Sequence, residues 1–419
     1  MQNHKLKRNF GPTRSNLNGA MNRMRKFYSA IDEEIKQAQT TDIYFVRTKQ
    51  IIEAKGLSKI PVIAEVTPGK LPKNWDWGIL CGIEEEAQLL EGLPIDVYAM
   101  PEGSVFYHTD YHGVREPVMR IEGPYGEFCL YETPLLGLLC QSSGVATRAA
   151  RIRKAAGNKT LVAFGIRRMH PALAPMLDRA AYIGGFDGVS SLIGAKVIDA
   201  EPMGTMPHAL IIVFGNQVEA WKAFDEVMPS KVPRIALVDT YYDEKMEALM
   251  AAEALKERLS GVRLDTPSSR KGDFAEIIRE VRWELDIRGY KHVKILVSGG
   301  LDEESVKALG EAGADAFGVG TSVSNAPTID FAMDIVEIEG KLCAKRGKIG
   351  GRKEVWRCTQ CLTDTVLPFN SKQPSCPRCG GKTESMLKPL IKNGKIVTNL
   401  PKPKEIRQYV LEQLEKIEI

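Results

Sequence analysis

No run of this sequence approaches the roughly 18 consecutive apolar residues that a membrane-spanning helix needs, so no segment reads as transmembrane. A strong charge imbalance is also missing. Against 57 lysines and arginines stand 53 aspartates and glutamates, a net +4. That balance argues against nucleic acid as a main partner, though not against a local cationic pocket for a phosphorylated substrate. Histidine is scarce, with six in the chain. No secretory leader, internal repeat or low-complexity segment is visible. Cys81, Cys129, Cys140 and Cys343 stand alone, and lone cysteines without a secretory leader fit a reducing compartment, the cytoplasm. Acid is absent from residues 1–28, which carry Lys5, Lys7, Arg8, Arg14, Arg23, Arg25 and Lys26. An acid-poor basic leader has the composition of an organelle transit peptide. No apolar face recurs there at helical spacing, which favours a tail, or a start at Met21 or Met24.

What remains is an ordinary globular composition, 43% hydrophobic and 26% charged, over 419 residues. That length predicts two or three domains and a sizeable core. Ser29-Ala30-Ile31-Asp32 has the pattern of a capping box and predicts a helix over about 30–39. A second helix should follow Thr41-Asp42 and stop at Gly56. From about 60 to 130, short β-prone runs (Val62–Val66, Ile95–Tyr98, Ser104–Phe106, Pro117–Ile121) are broken by glycine and proline. They predict an antiparallel sheet, followed by a helix from Thr133 to about Gly157.

Near residue 160 the pattern changes. Seven apolar runs alternate with longer helical stretches: 161–164, 186–189, 201–205, 234–239, 262–265, 294–298 and 316–320. Such alternation predicts a parallel sheet covered by helices, read here as a seven-stranded α/β barrel. A doubly wound open sheet would show the same periodicity. Several runs end in Asp239, Asp265, Ser298 or Gly320, which at a barrel's C-terminal face would build a site.

Three groups of residues carry chemistry. Cys358-x-x-Cys361 and Cys376-x-x-Cys379 are separated by fourteen residues. Two such knuckles can hold one Zn2+ with four thiolates and no open position, a structural site. A rubredoxin-like iron site would use the same ligands. Ser298-Gly299-Gly300 and Gly318-Val319-Gly320-Thr321, each after an apolar run, suit phosphate: glycines permit close approach, and helix N-terminal amides bind its oxygens. Arg167 and Arg168 follow the first run and could fork onto a phosphate or carboxylate, unless they are plain surface arginines. Arg263 and Asp265 alternate on one strand, so both face one side, either as site residues or as a structural ion pair. His208, in Gly204-Thr205-Met206-Pro207-His208, would sit in a sharp exit from a strand. A lone histidine is more often structural.

Together these segments resemble nicotinate phosphoribosyltransferases, in their archaeal and bacterial form, from about Met24 to about 350. The resemblance is carried by Thr41-Asp42-Ile43-Tyr44-Phe45, Glu122-Gly123-Pro124, Glu132-Thr133-Pro134-Leu135-Leu136, Phe164-Gly165-Ile166-Arg167-Arg168, Gly185–Ser191, Gly204–His208, Val238-Asp239-Thr240-Tyr241 and Val262-Arg263-Leu264-Asp265. The cysteine module is shared by part of that family. The resemblance implies a type II phosphoribosyltransferase: an irregular seven-stranded α/β barrel with an α+β N-terminal domain. It implies that nicotinate and phosphoribosyl pyrophosphate give nicotinate mononucleotide and pyrophosphate, with ATP as co-substrate and Mg2+ required. Tyr44, supplied across a homodimer with shared sites or within a higher oligomer, would stack on the pyridine ring, with Phe164 as the other wall. Arg167, Arg168 and Arg263 would hold phosphate or the nicotinate carboxylate, and Ser190 and Ser191 would bond that carboxylate. Asp239 and Asp265 would hold Mg2+ or support the ribose. Ser298, Gly299, Gly300, Gly320 and Thr321 would cradle the 5′-phosphate, and His208 would be phosphorylated by ATP. One departure is Ser191, where the family has asparagine. The expected division is a basic extension 1–28, an α+β domain 29–158, a barrel 159–340, and a C-terminal segment 341–419 with the cysteine module at 356–382. Rival readings are quinolinate phosphoribosyltransferase, nicotinamide as substrate, and a silent scaffold using the zinc module.

Overall fold

The structure, a computed structural model, describes residues 27–418; the basic stretch 1–26 lies outside the described residues. Within 27–40 the expected helix is short, Asp32–Lys36, with three acids in its first turn and Ala38 at φ 54 just beyond it. From Thr41 onward, a helix over Ile43–Ala54 ends as expected before Gly56, whose φ of +70 suits a glycine stop.

An antiparallel sheet runs in the spatial order Lys341–Leu342, Phe331–Ile338, Pro61–Pro68, Met119–Pro124, Asp96–Ala99, Lys388–Lys392 and Lys395–Ile396. Its central strand, Pro61–Pro68, is buried along most of its length. Phe331–Ile338, expected inside the barrel segment, pairs instead with Pro61–Pro68 from Val62↔Ile338 to Pro68↔Phe331. Its alternating burial is that of an antiparallel strand with one face on the core.

A 25-residue helix, α1 (Glu132–Ala156), follows. Its small residues let other backbone come close. A methyl on Gly144 would stand 2.3 Å from Pro327 O. Ser143 Oγ accepts Cys81 N–H at 3.0 Å and Thr147 Oγ1 accepts Ile79 N–H at 2.8 Å, so this helix satisfies donors of a neighbouring strand.

The second sheet is parallel throughout: β1 (Thr160–Ala163), β2 (Gly188–Val189), β3 (Ile235–Leu237), β4 (Gly261–Leu264), β5 (Lys294–Ser298) and β6 (Ala316–Val319), in the order β2-β1-β6-β5-β4-β3. Helices α2 (Ala174–Ile183) and α3 (Glu303–Glu311) belong to the covering layer and pack on α1. Six strands therefore ladder, where seven were expected. The seventh run, Glu201–Thr205, is extended but unladdered, tied to β2 by Met203 N–H donating to Val189 O at 2.8 Å. Pro202 removes a donor and residues 201–204 are exposed, which disfavours a ladder there.

Lys353–Cys358, Asp364–Pro368 and Thr383–Ser385 form a separate three-stranded sheet carrying the cysteine pairs. The chain then returns to the body. Lys388–Lys392 pairs with Asp96–Ala99, and the final helix α4 (Pro403–Leu414) packs on α1 and α2. Gln413 accepts Val105 N–H at 2.9 Å and donates to Gly103 O at 2.9 Å, tying this helix to the first part of the chain. Arg407 donates to Phe186 O at 2.7 Å and to Asp187 Oδ1 at 2.7 Å, a contact the sequence did not suggest. Among the described residues, no helix is long and apolar enough to cross a membrane.

Candidate active site at the strand ends

Parallel strands point their C-terminal ends the same way, so the residues that follow them converge. Asp239 and Thr240 follow β3, Asp265 and Thr266 follow β4, and Ser298 closes β5. His208 opens the short helix His208–Phe214 directly after Pro207, whose extended backbone sets the exit.

These residues form one hydrogen-bonded cluster. Asp239 Oδ2 accepts Asp265 N–H at 2.6 Å and lies 3.0 Å from Thr266 Oγ1. Its other oxygen, Oδ1, is buried with no hydrogen-bond partner among the described residues. Burial raises the Asp239 carboxyl above its ordinary range, and the Asp265 charge adds to this; the bond from Asp265 N–H, His208 and the Thr266 hydroxyl oppose it. His208 Nε2 stands 3.7 Å from both Asp239 Oδ1 and Asp265 Oδ2, and Nδ1 lies 3.0 Å from Thr240 Oγ1. The ring is 36% exposed, so Nε2 can be reached from the mouth. Glu247, fully buried, accepts the backbone N–H of Thr240, Tyr241 and Tyr242 and thereby fixes the loop that carries Thr240.

Arg263 is locked from several sides. Nε donates to Ser298 Oγ at 2.9 Å, Nη1 to Thr205 Oγ1 at 3.0 Å, and Nη2 lies 3.1 Å from Asp265 Oδ2. Ser298 Oγ in turn donates to Asp265 Oδ1 at 2.6 Å. The guanidinium carbon sits 5.3 Å from the centre of the Phe164 ring. That ring lies over Gly318, where a methyl would stand 2.3 Å from its carbons, so only glycine admits Phe164 there. The result is an aromatic wall backed by a fixed cation.

The two glycine loops flank this cluster. Gly299 and Gly300 take φ of +90 and +69 and are exposed. Lys271 Nζ donates to Gly299 O, and burial lowers the Lys271 pKa against the pull of Asp265. Gly320 precedes the short turn Thr321–Ser324. Arg167 and Arg168 lie on the exposed turn after β1, with no ion pair or hydrogen bond from either side chain among the described residues.

Two expected residues stand differently. Ser191 Oγ donates to Asp178 and accepts Gly194 N–H at 2.9 Å, capping the helix Leu192–Val197. Its hydroxyl is buried and committed, so it has no free donor for a carboxylate. This corrects the expectation for Ser191 and leaves Ser190, half-buried, as the serine of that loop whose hydroxyl has no hydrogen-bond partner among the described residues. Tyr44 is 55% exposed on the helix Ile43–Ala54, beside Phe45, and makes no contact with the strand-end cluster among the described residues. Thr205, Thr240, Glu247, Thr266 and Lys271 were not singled out from the sequence. Thr205 and Thr240 lie inside quoted motifs, but the pairing of Thr205 with Arg263 spans 58 residues and leaves no periodic trace.

The four cysteines of the C-terminal sheet come together, with ligand atoms all within 4.8 Å of one another. Cys358 and Cys379 sulfurs are 3.4 Å apart, Cys361 and Cys379 3.5 Å, and Cys361 and Cys376 3.6 Å. A tetrahedron of Zn–S bonds of about 2.3 Å puts its sulfurs roughly 3.8 Å apart, whereas a disulfide needs about 2 Å. Gln360 N–H points at Cys358 Sγ at 3.4 Å, the polarity expected around thiolates. The donor set fits a metal ion and leaves no ligand position for a reacting water.

Comparison with known proteins agrees with this geometry. The family profile for the quinolinate phosphoribosyl transferase N-terminal domain matches residues 42–143, and that for its C-terminal domain matches 145–334. A nicotinate phosphoribosyltransferase of Mycobacterium tuberculosis is 30% identical over 80% of this chain and 82% of its own length. The nicotinate phosphoribosyltransferase of Bacillus subtilis is 28% identical over 76% of this chain and 72% of its own. Among solved structures, nicotinate-nucleotide pyrophosphorylase from Pyrococcus furiosus superposes with a TM-score of 0.90 and 57% identity, covering 94% of this chain and all of that one. Human nicotinic acid phosphoribosyltransferase, 20% identical over 90% of this chain and 94% of its own, shares the fold with a TM-score of 0.71. With sequence relatives of that name matched over most of both lengths, and four of the quoted motifs, those of Phe164, His208, Asp239 and Arg263, converging on one cluster, the chain belongs to the nicotinate phosphoribosyltransferase family.

Proposed function

We propose that this protein transfers the phosphoribosyl group of phosphoribosyl pyrophosphate to nicotinate, with ATP as co-substrate, in NAD salvage. The observation that carries the reading is the strand-end cluster: His208 between two carboxylates, beside Arg263 locked against an aromatic wall. The nicotinate ring lies on Phe164, its carboxylate meeting Arg167 and Ser190, with Arg168 adding positive charge. The ring nitrogen attacks the ribose C1 as the bond from C1 to pyrophosphate breaks. Asp239 and Asp265 face the positive charge that develops at C1, and Arg263 orients the phosphoribosyl group. The 5′-phosphate sits against Gly299, Gly300, Gly320 and Thr321, with Ser298 anchoring that loop.

The unpartnered Asp239 Oδ1 suits a divalent cation, with Asp265 facing it. Mg2+ bound there would neutralise the departing pyrophosphate. His208 Nδ1 lies within hydrogen-bond distance of the Thr240 hydroxyl, and in the tautomer whose Nδ1 carries the proton the lone pair of Nε2 is free. Nε2 then attacks the γ-phosphate of ATP, forming an N–P bond as the bond to ADP breaks. Tyr44, exposed on its own helix, would serve the site of a second copy, making the protein a homodimer with shared sites or a higher oligomer. The four cysteines would hold a structural Zn2+. The working division remains 29–158, 159–340 and 341–419, with a seventh barrel segment at Glu201–Thr205 and Phe331–Ile338 returned to the first sheet. Lone thiols support a cytoplasmic setting.

A second reading, quinolinate as substrate, is favoured by the name that both family profiles carry. Pyrophosphate release decides between them. It is measured with phosphoribosyl pyrophosphate and Mg2+ against nicotinate, nicotinamide or quinolinate, each with and without ATP. Release with nicotinate, stimulated by ATP in the wild type but not in His208→Ala, is the expected result. Release with quinolinate alone overturns the substrate assignment.

A further inference from the structure

Helix α1 holds no residue given a catalytic or ligand-binding role above, yet one of its side chains reaches the segments that follow both glycine loops. Arg148 is buried, 9% exposed. Its Nε and Nη2 donate to Ser322 Oγ at 3.2 and 3.0 Å, in the turn that follows β6 and carries Gly320 and Thr321. Its Nη1 pairs with Glu303, the first residue of α3, which opens directly after Ser298–Asp302. Asp302 and Ser305 cap α3 reciprocally, so the position of Glu303 is transmitted to the end of the Gly299-Gly300 loop. Arg151, one turn further along α1, also meets Glu303 at 3.3 Å but makes no bond to Ser322 among the described residues.

We infer that Arg148 is a positioning residue that sets the spacing between the two phosphate-gripping loops, and so the affinity for the 5′-phosphate of phosphoribosyl pyrophosphate. The inference rests on the proposal that both loops hold one phosphate. A planar guanidinium with fixed donors suits this task. Three N–H groups are spent on two separate chain segments, and a lysine at the same place would reach one of them at a time. Loop pairs that grip one ligand are sensitive to small displacements, because a misplacement of about 1 Å can cost about a hundredfold.

The test compares Arg148→Ala, Arg148→Lys, Ser322→Ala and Arg151→Ala by steady-state kinetics and thermal melting of the full chain. Arg148→Ala should raise KM for phosphoribosyl pyrophosphate by about tenfold, with KM for nicotinate within about twofold. Arg148→Lys should recover part of the loss. Ser322→Ala, which leaves α1 untouched, should raise the same KM by about threefold. Arg151→Ala should not, since it removes an ion pair to Glu303 without the link between the loops. Ser322→Ala still decides the matter if Arg148→Ala does not fold. Equal rises in both KM values, or no rise in Arg148→Ala and Ser322→Ala, would overturn the inference while wild-type activity leaves the proposed reaction standing. A wild type that releases no pyrophosphate with nicotinate would overturn the reaction and this inference with it.

Discussion

Replacing Asp239 by asparagine separates what this residue does for the fold from what it does for chemistry. An amide oxygen can still accept from Asp265 N–H and the Thr266 hydroxyl, so the geometry around Oδ2 survives. Losing the charge weakens those bonds by about 1–2 kcal/mol, the difference between charged and neutral acceptors. Against this stands the burial of the carboxylate, the main reason its pKa is raised. A raised carboxyl pKa means that the folded state holds the proton more tightly than the unfolded one. The stability this gives is fully present below the unfolded pKa and is lost as pH rises through the folded value. At neutral pH the ionised group is therefore a burden, and asparagine removes it. The two effects are opposite in sign and offset one another, so the melting temperature should move by no more than about 2–4 °C. In the proposed mechanism the charge itself is used, on the cation and on C1. Its loss should lower kcat/KM by about 10²–10³, the 2.7–4 kcal/mol typical of one electrostatic partner of a transition state. Pyrophosphate release and scanning calorimetry on the same preparation test both halves. A variant melting far below wild type with activity reduced only in step, or one retaining near-wild-type kcat/KM, would refute the reasoning.

Three further outcomes follow from geometry elsewhere. Burial pushes the Asp178 carboxyl up to about 6 despite the bonds from Ser191; its protonated form favours the fold below about pH 4, and that advantage is lost as pH rises through about 6. Asp178→Asn should flatten this part of the stability profile in urea melts between pH 4 and 7, and parallel wild-type and variant profiles would count against it. Gly318→Ala should displace the Phe164 ring, since the added methyl would sit 2.3 Å from it, at a cost of about 1–3 kcal/mol shared between stability and nicotinate affinity; an unchanged KM for nicotinate together with an unchanged melting temperature would contradict this wall. Elemental analysis should find one zinc per chain, and Cys376→Ser should lose it and melt earlier; iron in its place would mark the rubredoxin-like alternative.

Much of the candidate site was legible because it follows strand ends. Asp239, Asp265 and Ser298 were marked as residues where apolar runs stop, and parallel strands bring such residues together whatever their separation in sequence. The paired cysteines were equally readable, since their spacing alone defines the ligand set. Other features needed contacts that no local pattern encodes. Ser191 looked like a ligand because it sits in the right loop, but it is the residue before a helix, and the orphan amides of that helix claim its hydroxyl. Phe331–Ile338 is not among the seven runs and falls inside the expected barrel bounds by position alone; only its pairing with Pro61–Pro68, more than 260 residues away, assigns it to the other sheet. Glu201–Thr205 has the composition of a strand end, while Pro202 and exposure keep it out of the ladder. Arg148 carries no sequence signal, being one of several arginines on an alanine-rich helix.

The cysteine module has a consequence for anyone who would shorten this protein. Its first and third strands lie side by side, with Trp356 opposite Ser385 and Cys358 opposite Thr383, so the chain enters and leaves the module through a single stem. Beyond that stem the chain is woven back in, by Lys388–Lys392 beside Asp96–Ala99 and by Arg407 bolting α4 to the turn at Gly185–Asp187. Truncation before the cysteines would therefore strip a sheet edge and a helix from the body along with the cysteine cluster. Excision at the stem would not be neutral either, because the module is bonded into the body: Lys353 pairs with the buried Glu65, Val366 N–H donates to Asp110 Oδ2 at 2.7 Å, and the buried Arg357 stands 3.8 Å from the buried Glu116, so cutting the module out would leave two carboxylates of the body without their cations.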